Sequence, residues 1–346
     1  KISEKRFLDN IKLRSTPFSV DTKRSFRKRA IALQLVQSPF KVKRSTFNKA
    51  RMLVRRDLKV SLAKLKPFTF EDAALRLKLS AGAGFWWFQK KANVLGEIFS
   101  SANHVYGLDP SDLCSILFFP TYVAYRVQQR ASDVKLRLIY VYPGVVTLFE
   151  QVFLAPVLDF FISKNKVSPY VVGNVGSDLV VRHGNWQKRK KIISLDWSFF
   201  DQLANTYLIK ESFSIVKSMF PNLSRSESFL FDLVTYFFIF TPIYTTDPNT
   251  SKEGIVFKKR GVPSGSSFTN LIDTIVNLLA VYCYLVEFGM EVNPEFIACL
   301  GDDIVIATDS DFNFEHFSNT MFEWFGMSVS KEKSEIFNKG EKVYFL

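Results

Sequence analysis

The sequence predicts an α+β fold, an antiparallel sheet backed by helices. Three observations carry that expectation. Lys191–Asp196 (KIISLD) is a short apolar strand that ends on an acid. Phe296–Leu300 and Ile304–Thr308 flank the turn Gly301-Asp302-Asp303 and read as a β-hairpin with acids at its tip. From residue 191 the element order is strand, helix, helix, two strands, helix, strand, which suits one sheet layer covered by helices.

Residues 1–66 hold 20 Lys/Arg against four acids, Glu4, Asp9, Asp21 and Asp57. Short helices are expected around Phe26–Val36 and Thr46–Leu65, with Pro67 closing this section. Residues 67–190 alternate apolar helical stretches with turns. Lys135–Tyr142 reads as a strand, because Val134, Leu136 and Leu138 alternate with Lys135 and Arg137. Gly173–Asp178 is a loop. Two apolar runs, Val145–Ile162 and Leu271–Val286, are interrupted by Glu150 and Asp159 and by Asp273, so buried helices are expected rather than membrane spans. Gln202–Met219 is helical by periodicity, and residues 242–257 are turn-rich. Gly261–Ser266 is a tight loop feeding a long helix, Phe268–Phe288. A helix at Phe314–Phe325 is followed by Gly326, a lysine-bearing loop and a last strand, Lys342–Leu346.

With 346 residues the chain exceeds one ordinary core, and two or three packed lobes are expected. Hydrophobic residues make up 47% of it, which excludes a disordered chain, and most of the 36 phenylalanines read as core filling. Net charge is +13, all of it from residues 1–66. That asymmetry suggests a polyanionic partner, nucleic acid before anionic membrane, or else a solvated basic face. Cys114, Cys283 and Cys299 are widely spaced, and His104, His183 and His316 stand alone, so no zinc pattern is present. Reduced, buried thiols and an intracellular setting are expected.

Phosphoryl transfer to a ribose hydroxyl uses two divalent metals roughly 3.5–4 Å apart. Hard cations of this kind take carboxylate oxygens, few from the protein and the rest from phosphate and water. If the strand ending at Asp196 neighbours the hairpin carrying Asp302, both carboxylates emerge at one sheet edge.

The ordered motifs resemble those of viral RNA-dependent RNA polymerases. Asp196-Trp-Ser-Phe-Phe-Asp201 resembles motif A, Pro263-Ser-Gly-Ser-Ser-Phe-Thr269 motif B, and Leu300-Gly-Asp-Asp303 motif C. Gly326 through Lys333-Ser334 is similar to motif D, Val343–Leu346 to the start of motif E, and Lys135-Leu-Arg137 to motif F. Ser80–Gly84 is a weaker match to motif G. The wording is similar to polymerases of partitiviruses and picobirnaviruses, which copy segmented double-stranded RNA genomes.

The resemblance implies a right-hand polymerase with an antiparallel-sheet palm, largely helical fingers, and a thumb absent or truncated in this chain. It divides the chain into a basic extension (1–66), fingers (67–190), palm with motif A (191–205), a helical fingers insertion (206–257) and palm with motifs B to E (258–346). It implies RNA synthesis from nucleoside triphosphates on an RNA template, extending the nascent RNA with two Mg²⁺ ions, Mn²⁺ being a substitute. The implied setting is the host cytoplasm inside virus particles, with capsid protein as a further partner and no membrane. Two other readings stand beside this one: an RNA-binding fragment with little activity of its own, and a reverse transcriptase.

Residue by residue, Asp196 and Asp302 are the expected metal ligands, with Asp303 as support. Asp201 is expected to sense the ribose, or to serve as a helix N-terminal acid. Ser264 is an N-cap or a nucleotide contact, and Gly265 permits close approach of a nucleic-acid backbone. Thr269 is placed to read the 2′-hydroxyl. Asp273 stands where better-studied positive-strand enzymes have asparagine. An ionised acid cannot donate there, so Asn277, one turn on, is the alternative sensor. Lys135 and Arg137 are expected over the triphosphate. Lys333, with Lys331 as rival, is the implied general acid for pyrophosphate. Trp86, Trp87, Lys90 and Lys91 are a template guide or a core aromatic pair with nearby cations.

Overall fold

A computed structural model describes residues 20–107, 119–129, 134–163, 168–173, 182, 184–246, 252–339 and 341. Helices α1 (Val20–Gln34), α2 (Arg44–Asp57), α3 (Phe70–Ala74) and α4 (Leu95–Tyr106) precede a hairpin of β1 (Tyr122–Gln129) and β2 (Val134–Val141) and the long α5 (Gly144–Ser163). Then come β3 (Lys191–Leu195), β4 (Trp197–Ser198), α6 (Phe200–Leu203), α7 (Thr206–Lys217), α8 (Arg225–Ile239) and the hairpin β5 (Pro242–Thr246) and β6 (Glu253–Phe257). Last are α9 (Thr269–Glu287), β7 (Ile297–Leu300), β8 (Asp303–Thr308), α10 (Phe314–Phe325), β9 (Ser328–Val329) and β10 (Glu335–Asn338).

The central sheet has the order β10-β3-β8-β7, antiparallel throughout. Period-two alternation divides its side chains between two cores. Ile193, Leu195, Ile304 and Ile306 enter the main core; Ile192, Val305, Ala307 and Phe337 form a smaller one with Trp186 on the other face. Both faces are covered, which is why these strands read as near-continuous apolar runs. The fourth strand, β10, lies in the stretch expected to be a loop. Only Phe337 of its four residues is buried, so little apolar signal marks it. The expected strand Lys342–Leu346 lies outside the described residues.

The apolar runs are helices of the interior. α5 and α9 are each long and apolar enough to cross a membrane, yet 72% and 83% of their apolar windows are buried inside the protein. Phenylalanines knit α5, α7, α8 and the start of α9 together. Phe213 meets Phe238 at 5.0 Å and Phe268 at 5.3 Å, and Phe153 meets Phe231 at 5.0 Å, all edge-on as aromatic quadrupoles prefer.

The expected helix Gln202–Met219 is broken. Ala204 and Asn205 separate α6 from α7, and the Asn205 side chain caps α7 by accepting from Tyr207 N at 2.8 Å. Its amide donates to Phe325 O at 3.0 Å and to Pro39 O, so the break is a tertiary tie. The turn-rich 242–257 region contains the β5–β6 hairpin. From residue 20 the basic segment packs on the core through one apolar face, which includes Ile31, Ala50, Val54 and Leu58. α2 packs on α9, with Tyr282 Oη donating to the buried Asp57 at 2.9 Å.

Candidate active site

β3 ends at Leu195, which pairs with Ile304 of β8. Asp196 therefore leaves the sheet at the edge where the β7–β8 turn carries Asp302, which meets the condition of neighbouring strands set by the sequence reading. Gly301 in that turn has φ +65°, a conformation costing a residue with a side chain about 1–2 kcal/mol. The turn is pinned from α9. Gly301 N donates to Thr274 Oγ1 at 2.8 Å, and Asn277 Nδ2 donates to Asp302 O at 3.0 Å and Gly301 O at 3.3 Å. Asn277 Oδ1 accepts Trp197 Nε1–H at 3.0 Å. The Asn277 amide is thus committed to fixing the acidic turn and β4, which leaves it poorly placed to sense a ribose. Asp196 is fixed through its backbone: its N–H donates to Ser334 Oγ at 3.0 Å, and its carbonyl accepts Ser330 N–H at 2.8 Å.

Arg137, Asp201, Asp302 and Lys333, from four separate segments, line one cleft of about 340 Å³. Lys333 Nζ lies 3.7 Å from Asp196 Oδ1, whereas Lys331 turns away to Glu315 at 3.3 Å. Lys333 is therefore the lysine of this loop that lines the cleft. Lys135 is in β2 with Arg137, but its side chain lies outside the described residues.

The loop before α9 is bound to motif A. The Ser264 hydroxyl donates to Asp201 Oδ2, and the Asp201 carbonyl accepts from Val262 N at 2.7 Å and Gln34 Nε2 at 3.1 Å. Thr269 Oγ1 lies 2.9 Å from both Pro263 O and Ser266 O, so its proton closes the loop instead of facing a 2′-hydroxyl. Gly265 is exposed, but the close approach it permits is to the protein itself: a Cβ there would fall 1.7 Å from Tyr140 O. The glycine is demanded by β2.

Asp273 is buried on α9, and its Oδ1 has no hydrogen-bond partner among the described residues. Burial pushes its carboxyl well above the usual range; Asp201 and Asp302 push it further, and Lys258 opposes them. The shift favours the protonated form, and a protonated carboxyl can donate where an ionised one cannot.

Among the described residues no group of three or more His, Cys, Asp or Glu is gathered to hold a metal ion. The expected set of Asp196, Asp302 and Asp303 is not closed into a cage. Asp302 is exposed, Asp303 is half-buried at the start of β8, and Asp196 faces an ammonium. An open pair of hard oxygen donors nonetheless suits Mg²⁺, which retains water and takes substrate phosphates as ligands. Asp196 and Asp302 fit that chemistry.

Several contributors carried no readable signal. Gln34, fully buried, comes from the basic segment and binds Asp201 across 167 positions. Phe199, between the two motif A acids, has φ +55° and is 62% exposed in the cleft. Of the weaker matches, Trp87 is half-buried against the core and its Nε1 donates to Glu97 at 2.6 Å, while Trp86 is exposed. Cys283 and Cys299 are free and buried, as expected; Cys114 lies outside the described residues.

Residues 81–346 match the family model for viral RNA-dependent RNA polymerase. The RNA-directed RNA polymerase of Cryptosporidium parvum virus 1 (strain KSU-1) is 31% identical over 219 residues, covering 60% of this chain and 39% of that protein. The genome polyprotein of tobacco vein mottling virus is 25% identical over 193 residues, 51% of this chain and 6% of its own length. The crystal structure of a human picobirnavirus RNA-dependent RNA polymerase superposes with a TM-score of 0.68 at 16% identity, covering 91% of this chain and 58% of that one. Its insertion-loop deletion mutant gives 0.66, also at 16% identity, with 93% and 64% covered. The chain thus spans about two-fifths of the curated polymerase and under two-thirds of the solved ones. With the motifs in order on a sheet of this topology, the chain belongs to the viral RNA-dependent RNA polymerase family.

Proposed function

We propose that this chain carries the palm and much of the fingers of an enzyme that copies an RNA template from nucleoside triphosphates, replicating or transcribing a viral genome inside particles in the host cytoplasm. The observation that supports it most is the convergence of Arg137, Asp201, Asp302 and Lys333 on one cleft beside Asp196.

The RNA 3′-hydroxyl attacks the α-phosphate in line, and pyrophosphate leaves. Asp196 and Asp302 would hold Mg²⁺, or Mn²⁺ in its place, with Asp303 behind them. Held there, such ions would supply Lewis acidity to the attacking hydroxyl and positive charge against the phosphates. Arg137 grips the triphosphate through its planar fork, with Lys135 beside it on the same strand. Lys333 neutralises and protonates the leaving pyrophosphate. Asp201, oriented by Ser264, receives the ribose, and the Asp273 carboxyl supplies the donor of that pocket. Gly265 and Thr269 shape the loop, and Asn277 holds the Asp302 turn.

Primer extension by the full-length protein tests this. Asp302→Ala should lower incorporation about a thousandfold or more while the melting temperature holds. Wild-type rates in that variant would overturn the proposal. Preference for deoxyribonucleotides in the unaltered protein would identify a reverse transcriptase instead.

A further inference from the structure

Glu150 lies in the middle of α5 between Phe149 and Val152 and is fully buried. A carboxylate in such surroundings is costly unless hydrogen bonds satisfy it. Both oxygens are engaged, and by the same short segment. Oε1 accepts the Ser266 hydroxyl, and Oε2 accepts Ser267 N–H at 2.7 Å. Ser266 Oγ accepts Phe268 N–H in turn at 3.1 Å. A side chain from a distant helix therefore satisfies the free Ser267 amide ahead of α9 and holds the Ser266 hydroxyl that serves Phe268, work that an N-cap residue ordinarily does locally.

This segment is the back of the loop whose front holds Ser264 on Asp201. Between them Gly265 presses on Tyr140 O of β2, the strand that carries Arg137. The buried Lys91, which donates to Gly82 O at 2.9 Å, is the cation whose field reaches Glu150, and Tyr142 is the other titratable group beside it. An apolar residue at 150 would continue the buried face of α5 without the cost of a charge, and such replacements are often neutral or stabilising. The acid is explained by what it holds.

We propose that Glu150 is a positioning residue for nucleotide selection, fixing from the fingers side the loop that sets Ser264 against Asp201; the inference rests on the polymerase reading above.

Full-length wild type, Glu150→Gln and Glu150→Met would be compared by melting temperature, by ribo- and deoxyribonucleotide kinetics on primed RNA, and by hydrogen exchange across residues 262–269. Gln can accept from Ser267 N–H and donate to Ser266 Oγ, so its KM and its ribose preference should stay near wild type. Met should fold, yet lose roughly tenfold in kcat/KM for ribonucleotides, mostly through KM. Its preference for ribose should narrow, and exchange at Ser266–Thr269 should rise. A Met variant with unchanged KM and unchanged exchange would overturn the proposal. So would equal losses in both variants accompanied by a lowered melting temperature, which would mark a merely structural acid. A wild type that makes no RNA would sink the polymerase reading alone; the exchange measurement would then decide, with unchanged protection in Met overturning the positioning role.

Discussion

Helices α5 and α9 look alike in sequence, long and apolar with a buried acid, but their acids are kept in opposite ways. Glu150 on α5 has both oxygens occupied by donors from the loop before α9. Its pKa is raised by burial to about 7, held down from higher values by those donors and by Lys91. Asp273 on α9 has one oxygen without a partner and two acids, Asp201 and Asp302, in its field. One acid is anchored by the protein; the other keeps an unpartnered oxygen in the field of two acids that line the cleft. Buried polar atoms are nearly always paired, and an exception next to a reaction site is where a ligand group is expected to bind.

The largest effect that would break this contrast is on stability. Glu150 has a folded pKa above its ordinary 4.5, so the folded state favours the protonated form. Its contribution is full below pH 4.5 and is lost as pH rises to about 7, by up to ~3 kcal/mol. Glu150→Gln should therefore gain on wild type in denaturant melts between pH 4.5 and 7 and keep a constant lead above. A difference that does not change with pH would show Glu150 titrating normally.

Asp273 gives the next effect, on activity. Asp273→Asn supplies a neutral donor and should stay within a few-fold of wild type in kcat/KM. Asp273→Leu keeps the burial but removes the donor and should lose about tenfold, with poorer discrimination against deoxyribonucleotides. Full activity in the Leu variant would make Asp273 an ordinary core residue. The smallest effect sharpens the assignment of the motif D lysine. Lys331→Ala breaks only an exposed pair with Glu315, so synthesis should hold and stability should change by under about 0.5 kcal/mol. Lys333→Ala, measured beside it, should slow incorporation.

Much of this was legible because the signals are local. The KIISL strand, the hairpin around Gly301 and the helix from Thr269 each follow from periodicity or turn chemistry within a few residues. The acids at one sheet edge needed one further fact, that β3 and β8 are neighbours, which the structure supplies. What escaped the sequence was carried by side chains reaching across the fold. The helix break at Asn205 depends on Pro39 and Phe325, and β10 has one buried residue to announce it. Gln34 joins the site from a helix that the sequence predicts, but nothing near it in the chain names Asp201 as its partner. Glu150 was visible as an interruption of an apolar run, but its contacts with Ser266 and Ser267 were not.

Sequence alone determined the family resemblance and three of the four strands of the central sheet, since periodicity and motif order are properties of neighbouring positions. Tertiary structure decided the states of the site residues: Gly265 answers to Tyr140, Asn277 holds the acidic turn, Lys333 rather than Lys331 faces the cleft, and burial pushes the Asp273 carboxyl up. The reason is physical. Protonation and hydrogen-bond commitment depend on burial and on groups within a few ångströms, and those groups come from positions far apart along the chain.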